Sequence, residues 1–479
     1  MSYQNLRDFI AYLETKKDLK RISVPVDADL EITEIADRMV KKNGPALFFE
    51  KVKNSPYPVL INTFASLERM SAALLTDSLD KIAERMMALV PSSPPKTFWE
   101  KIGVLIKLKE IADFQPKKVK SGPCQEVIET SIDLDKLPVL KCWPGDSGRF
   151  ITLPLVVTKN PNTGVQNLGM YRMQVFDKTT TGMHWHAHHD GAKYYREHQK
   201  LGKKMEVAAV LGGDPATIYS ATAPLPPGLD ELIFAGFLRK EPVEIVKAHT
   251  VDLYVPAQAE FILEGYVSLD ELRDEGPFGD HTGYYSEQGK FPVFHVQCIT
   301  RREKPIYPAT IVGKPPMEDC YMGKATERIF LPLVRTQLPE IVDYSLPFEG
   351  VFHNCVIVSI KKEYPGQARK VASLLWGLGQ MMFSKVIIIV DEEVNVQDYS
   401  EVTWKVFNNV DPERDVFFQK GPLDVLDHSS PTHKYGSKMG IDATRKMKEE
   451  GHPRPWPDEI IMEEKIKQLV TTRWKEYGF

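Results

Sequence analysis

The sequence predicts an α/β protein in three parts: an N-terminal α/β domain, a strand-rich, split-β-barrel-like centre, and a C-terminal three-layer α/β domain. Three observations carry this. Amphipathic helix patterns and short apolar runs mix in the opening segment, strand patterns dominate from about residue 124 to 305, and strand and helix patterns alternate beyond about residue 330. A chain of 479 residues with 42% hydrophobic residues also exceeds what one core usually grows to, so two or three packed domains are expected.

In chain order, NLRDFIAYLETKKDL places Leu6, Phe9, Ile10 and Leu13 on one helical face, and DLEITEIADRMVKKNG is a second amphipathic helix that stops at a glycine. Strand-like PALFFEKV and YPVLINTF follow, then helical SLERMSAALL and SLDKIAERMMALV. The Pro- and Lys-rich run PSSPPKTFWEKIGVLIKLKEIADFQPKKVKSGP marks a boundary. In the centre, FITLPLVVTKNPNTGVQNLGMYRMQVF alternates about an NPNTG turn, a hairpin signal, and EVAAVLGGDPATIYS, VEIVKAHTVDLYVPA, AEFILEGYV and FPVFHVQCITRR read as further strands. The C-terminal part runs as strand FHNCVIVSIKK, helix QARKVASLLWGLGQMMF, strand KVIIIVDEEVN, helix DYSEVTWKVFN and strand DVFFQ, with a final helix suited to docking or subunit contact. The expected domains are 1–115, 124–305 and 330–479, with the first completed by about 306–325.

A net charge of −4 offers no basic surplus to neutralise a phosphate backbone, which argues against a nucleic-acid protein. The five cysteines, Cys124, Cys142, Cys298, Cys320 and Cys355, are scattered and form no C-x-x-C pair, so a reduced cytoplasm without structural zinc is expected. The first residues lack an apolar signal core, and the run VIIIV at 386 to 390 is far shorter than a membrane span. A soluble protein follows, with contact at a membrane surface left open.

Four of the twelve histidines fall in HWHAHHDG. On a strand, His184, His186 and His188 would share one face, which suits a transition metal and equally suits loop or hydrogen-bonding histidines. Asn167 offers a carbonyl oxygen and Glu231 a carboxylate. One imidazole with two such oxygens suits Mn or Mg, while the plain alternative has Asn167 closing a turn and Glu231 opening a solvated helix. Arg172, on a strand with few other charges, needs a carboxylate if it faces inward, and Glu275 and Asp280 flank a Gly-Pro-Phe-Gly turn in DEGPFGDHTGYY. A cation between two acids separates their protonation, leaving one free for acid-base work; a structural ion pair is the competing account. GGDPATIYSA only loosely resembles a phosphate loop, and no G-x-G-x-x-G, Walker or G-x-S-x-G motif occurs.

NLGMYRMQ, GGDPATIYSA, VPAQAEFILEGYV, DEGPFGDHTGYY and SKVIIIVDEEVN, in that order, resemble blocks of the UbiD family of decarboxylases, and the likeness runs from the N-terminal helices to GSKMGIDAT. The resemblance implies prenylated FMN in the central domain, tied through its phosphate to Mn2+ or Mg2+ and commonly K+. Asn167, His188 and Glu231 fall on metal-ligand positions, with His189 as second choice because His189, Asp190 and Gly191 replace the usual small-residue run. Met170, Tyr171, Arg172, His184, Trp185, His186, His189 and Asp190 fall on cofactor-contact segments, and Lys385 lies near a family lysine. Arg172, Glu275 and Asp280 match the catalytic triad, with Asp280 at the proton-donor position.

An Asp at that position resembles the 3-polyprenyl-4-hydroxybenzoate decarboxylase branch. The resemblance thus implies a reversible decarboxylase of an aromatic or α,β-unsaturated acid, in particular a hydroxyarene carboxylate of ubiquinone or menaquinone biosynthesis. It also implies a flavin prenyltransferase as cofactor supplier and a homo-oligomer, dimer or hexamer. Two rival expectations stand beside it: a flavin-free metal decarboxylase or hydrolase using the histidines, and a flavin-binding protein without chemistry.

Overall fold

Residues 2–89, 112–185, 190–225 and 229–479 are described in this computed structural model; most of the expected boundary run lies outside them. The first helix, Leu6–Thr15, buries the predicted face of Leu6, Phe9, Ile10 and Leu13, and the Asn5 side chain caps it by accepting from the N–H groups of Arg7 and Asp8. Helices Glu31–Val40, Leu67–Ala73 and Leu79–Leu89 follow. Strands Leu19–Ile22, Ala46–Phe49 and Val59–Ile61 form a sheet that Tyr307–Pro308 extends by pairing in parallel with Val59 and Leu60. The chain thus returns to the first sheet after building the centre.

The central sheet runs in the order Thr180–Gly182, Gly289–Arg301, Phe261–Glu275, Met205–Leu211, Pro154–Lys159 and Gln166–Met170, with Val127–Glu129 added beside Gly289–Arg301. The path is open, so the described strands form no closed barrel. The NPNTG hairpin is present, with Thr158 opposite Asn167 and Gly164 at φ +75°. AEFILEGYV extends to Glu275 as a fifteen-residue strand. Its charged second half, DELRDE, hides strand character because only one of its faces meets protein. The run GGDPATIYS, read as strand, instead ends its strand at Leu211 and starts the helix Pro215–Ser220. Asp214 caps that helix by accepting from Thr217 N–H at 3.1 Å, and Pro215 sits in its first turn.

The C-terminal sheet has the order Ile341–Ser345, Cys355–Ile360, Val386–Asp391, Tyr435–Asp442, Val416–Pro422; its three inner strands are parallel and its edges antiparallel. Val356, Val358 and Ile360 face a core with helix Gln367–Leu375, whereas Ile357 faces one with Val402 of helix Tyr399–Asn409, giving three layers. Several elements escaped the sequence reading, among them strands Leu19–Ile22 and Ile341–Ser345 and helix Asp190–Leu201, and two of them break the local pattern outright. Helix Glu318–Gln337 carries Pro332 in its interior, and strand Tyr435–Asp442 is interrupted by glycines and a buried lysine, Lys438. The helix expected over QARKVASLLWGLGQMMF stops at Leu375 before Gly377 and Gly379, the latter at φ +48°. The tail helix forms at Glu464–Thr472. Side chains of the first two parts share continuous cores, for example Phe9 and Phe64 with Leu155 and Val210. No described helix is long and apolar enough to cross a membrane.

Candidate active site

Three pieces of the centre deliver the charged residues. Arg172 stands not on a strand but in the break between Gln166–Met170 and Met173–Gln174, so its side chain is freed from the ladder. Glu275 closes the long strand Phe261–Glu275. Asp280 lies in the following loop, which is clamped at several points. Gly276 N–H donates to Gln174 Oε1 at 2.9 Å, Gly279 N–H to Asp146 Oδ1 at 2.7 Å, Asp280 N–H to Tyr284 O at 3.0 Å and Ser286 N–H to Phe278 O at 2.8 Å. Phe278 packs on Phe150 with ring centres 4.6 Å apart. Gly276 has φ +89°, a backbone state that L side chains seldom adopt.

Arg172 binds both acids. Its Nε donates to Glu275 Oε1 at 3.1 Å, its Nη1 contacts Asp280 Oδ2, and its Nη2 donates to Ser286 Oγ at 3.3 Å, while the guanidinium lies 4.7 Å from the Phe278 ring centre. All three side chains are nearly buried, so the charges must compensate one another. Glu275 Oε1 also accepts from His184 Nδ1 at 2.6 Å, and burial lowers the His184 pKa, so this ring is neutral with its proton on Nδ1. Burial alone would raise the Asp280 pKa, but the Arg172 charge and the His281 hydrogen bond outweigh it and hold the carboxyl below the usual range. In this state Asp280 is an ionised base, and neither acid escapes Arg172. Donation from Asp280 therefore needs Arg172 to turn toward a new anion.

A cavity of about 380 Å³ is lined by Arg172, His184, Phe278, Asp280 and His281 from the centre, together with Phe352 and Leu426 of the C-terminal domain. Met170 and Tyr171 also line it. Arg172, His184 and Leu426 are shared with a larger cleft of about 860 Å³, whose walls include Trp185, Tyr195 and the segment 422–434. Together they offer room of the size that small-molecule sites use, enough for a flavin beside a small acid.

Asn167 and Glu231 meet at the start of helix Glu231–Arg239. Asn167 Nδ2 donates to Glu231 Oε1 at 2.8 Å and Leu168 N–H to Oε2 at 3.1 Å, while Asn167 Oδ1 is buried without a partner. Burial pushes the Glu231 carboxyl up to about 7, with Asp230 and Asp190 adding repulsion. An orphaned carbonyl oxygen beside a buried carboxylate without a cationic partner among the described residues fits a divalent cation, which would satisfy both. The helix is buried, not solvated. No group of three His, Cys, Asp or Glu side chains that could hold a metal ion occurs among the described residues, and His186, His188 and His189 lie outside them. Asp190 opens the helix Asp190–Leu201, and Trp185 packs against Tyr195 of that helix at 5.5 Å. Lys385 is paired with Asp427, which lines the larger cleft, and with Ser429, each at 2.8 Å.

Three participants were missed from the sequence. Ser286 receives Arg172, His281 sits beside Asp280 within the quoted GDHTGYY run, and His353 comes from the C-terminal domain. Adjacency to Asp280 was a signal for His281; nothing in the local sequence marks His353.

Three family models match the chain, described as the N-terminal, Rift-related and C-terminal domains of 3-octaprenyl-4-hydroxybenzoate carboxy-lyase, over residues 10–86, 117–315 and 320–443. An uncharacterized protein of Archaeoglobus fulgidus is 52% identical over 478 residues, 99% of each chain. Among solved structures, vanillic acid decarboxylase of Sedimentibacter hydroxybenzoicus in closed form has a TM-score of 0.85 at 28% identity, covering 100% of this chain and 98% of that one. The UbiD-class enzyme HmfF of Pelotomaculum thermopropionicum in complex with FMN has a TM-score of 0.83 at 28% identity, covering 98% of this chain and 100% of that one. An evolved dimeric form of HmfF in complex with prFMN has a TM-score of 0.79 at 28% identity, covering 97% and 98%.

Proposed function

The chain belongs to the UbiD family of carboxy-lyases, and from that premise we propose that it removes CO2 from an aromatic or α,β-unsaturated carboxylic acid with prenylated FMN bound beside Arg172. The observation that carries this reading is the buried Arg172, Glu275 and Asp280 cluster on the wall of a cavity. A mere flavin carrier gains nothing from it. When bound, the prenylated flavin supplies the electron sink for the carbon that loses CO2, which no side chain here can provide.

The chain's own residues do the rest. Glu275 fixes the Arg172 guanidinium, with Ser286 and the Phe278 ring holding its other faces. A substrate carboxylate entering the cavity competes with Asp280 for Arg172. As that grip loosens, the Asp280 pKa rises toward its buried value, the carboxyl takes up a proton, and it can deliver that proton to the carbon. Phe278, Phe352 and Leu426 keep bulk water from the carbon. Asn167 and Glu231, with His188, would hold Mn2+ or Mg2+ for the cofactor phosphate, and K+ would accompany it. The apolar walls suit a hydroxyarene carboxylate such as those of quinone biosynthesis. A flavin prenyltransferase supplies the cofactor, and the exposed tail helix suits a homo-oligomer contact.

The test is protein co-produced with a flavin prenyltransferase and screened for CO2 release from 4-hydroxybenzoate, vanillate and 3,4-dihydroxybenzoate. The reading expects a modified flavin in the released cofactor's spectrum and mass, and CO2 from at least one acid. Full activity in a colourless, flavin-free preparation would overturn it.

A further inference from the structure

Removing CO2 from a carboxylate leaves the bonding electron pair on carbon, so each turnover consumes one proton. Asp280 is ionised in this structure and must acquire that proton from somewhere. Its Oδ1 accepts both the backbone N–H of His281 at 2.8 Å and His281 Nδ1 at 2.9 Å. The far nitrogen of the same ring, Nε2, lies 2.8 Å from Nε2 of His353, which belongs to the C-terminal domain. Two imidazole nitrogens at that distance form a hydrogen bond only when one carries the proton and the other does not.

The charges around the pair decide which. His281 faces Asp280, with Arg172 behind it, Asp319 at the start of helix Glu318–Gln337, and Asp424; Asp427 lies on the His353 side. Asp427 is already paired with Lys385, but Asp280, Asp319 and Asp424 face one guanidinium and favour a positive charge on the pair, and His281 touches a carboxylate directly. Burial would lower the His281 pKa, but Asp280 outweighs it and raises it, whereas burial and the His281 charge both lower that of His353. These charges and the Asp280 contact favour His281 as an imidazolium with Nδ1–H on Asp280 and Nε2–H on a neutral His353.

We propose that His281 is the store from which Asp280 draws its proton, and that His353 positions it for the transfer. The inference rests on the decarboxylase reading above. When a substrate carboxylate draws Arg172 away, the Nδ1 proton moves to Asp280 Oδ1, leaving a carboxylic acid and a neutral imidazole that keeps Nε2–H toward His353. Asp280 then gives its proton to the carbon that keeps the electron pair of the broken C–C bond. One proton from solvent restores the imidazolium at Nδ1 after the product leaves. His353 acts through His281, and because it comes from the other domain the store is complete only where the two domains meet.

The test compares holoenzymes on whichever of the three acids is turned over best, with kcat followed between about pH 5.5 and 9. Wild type should lose kcat on the alkaline side, above the ordinary histidine range. His281→Asn, which still donates to Asp280 but stores no proton, should lower kcat about 10²-fold, abolish that alkaline limb, and leave KM and flavin occupancy near wild type. His353→Leu should move the limb to lower pH, and His353→Gln, which can still accept from Nε2–H, should recover most of the loss. An unchanged alkaline limb in His281→Asn overturns the proposal whether or not kcat falls. Independently of turnover, ¹⁵N spectra of histidine-labelled holoenzyme at pH about 7 should show both nitrogens of His281 protonated and one of His353. Two neutral rings there overturn the store; no CO2 from any acid with a charged His281 would instead count against the decarboxylase reading alone.

Discussion

At the scale of single residues, the site is an exercise in charge compensation. Arg172 is flanked by two carboxylates, and all three are withdrawn from water. Asp280→Asn keeps the shape and most hydrogen bonds but cannot release and regain a proton, so flavin should remain bound while turnover falls by about 10² to 10⁴. Turnover and the bound-flavin spectrum, measured on the same preparation, check this. Arg172→Met goes further, because it removes the guanidinium that Glu275 and Asp280 share and leaves them only His184 and His281. Breaking a buried ion pair costs about 3–5 kcal/mol, and denaturant unfolding should show a loss of that order. Of these residues, the Arg172, Glu275 and Asp280 grouping was legible because a lone inward arginine demands acids. The state of Asp280 was not, since it depends on His281 and on the distance to Arg172, which no local pattern encodes.

At the scale of elements, the loop after Phe261–Glu275 sets the separation of the two acids. Gly276 needs its positive φ, and a Cβ there would come within 3.1 Å of Glu287 O. Gly276→Ala should therefore destabilise by about 1–3 kcal/mol and lower kcat more than it raises KM, checked by unfolding and by steady-state kinetics. Elements with a clean local signal were readable: the first helix from its period, the NPNTG hairpin from its turn residues and the VIIIV strand from its short β-branched run. Glu318–Gln337 and Tyr435–Asp442 were not. A proline within a helix and a buried lysine within a strand break the local pattern, and only packing against neighbours decides those segments.

At the scale of the whole molecule, the parts are tied by buried polar groups as well as by shared cores. Glu318, at the head of its helix, accepts from Phe64 N–H of the first domain at 2.6 Å and from Thr310 Oγ1 at 2.6 Å. Burial raises its pKa from 4.5 to about 7, so folding favours the protonated form. That contribution is fully present below the unfolded value and is lost as pH rises through about 7. Thermal stability should accordingly fall by up to about 3 kcal/mol across that window, and Glu318→Gln should flatten the decline; Tm against pH for both proteins checks it. The three-part division was visible in the chain's changes of periodicity. The return of Tyr307–Pro308 to the first sheet and the arrival of His353 at the central cavity are long-range events that follow only from the assembled fold.

The central claim is that a flavin-supported decarboxylation takes its proton through Asp280. Turnover of the best acid in D2O, with the product read by mass and NMR, tests it most directly. The account predicts one deuterium at the carbon that carried the carboxyl group, formed by the flavin-loaded wild type and nearly lost in Asp280→Asn. Equal rates of deuterated product from both proteins, or from protein stripped of flavin, would contradict it.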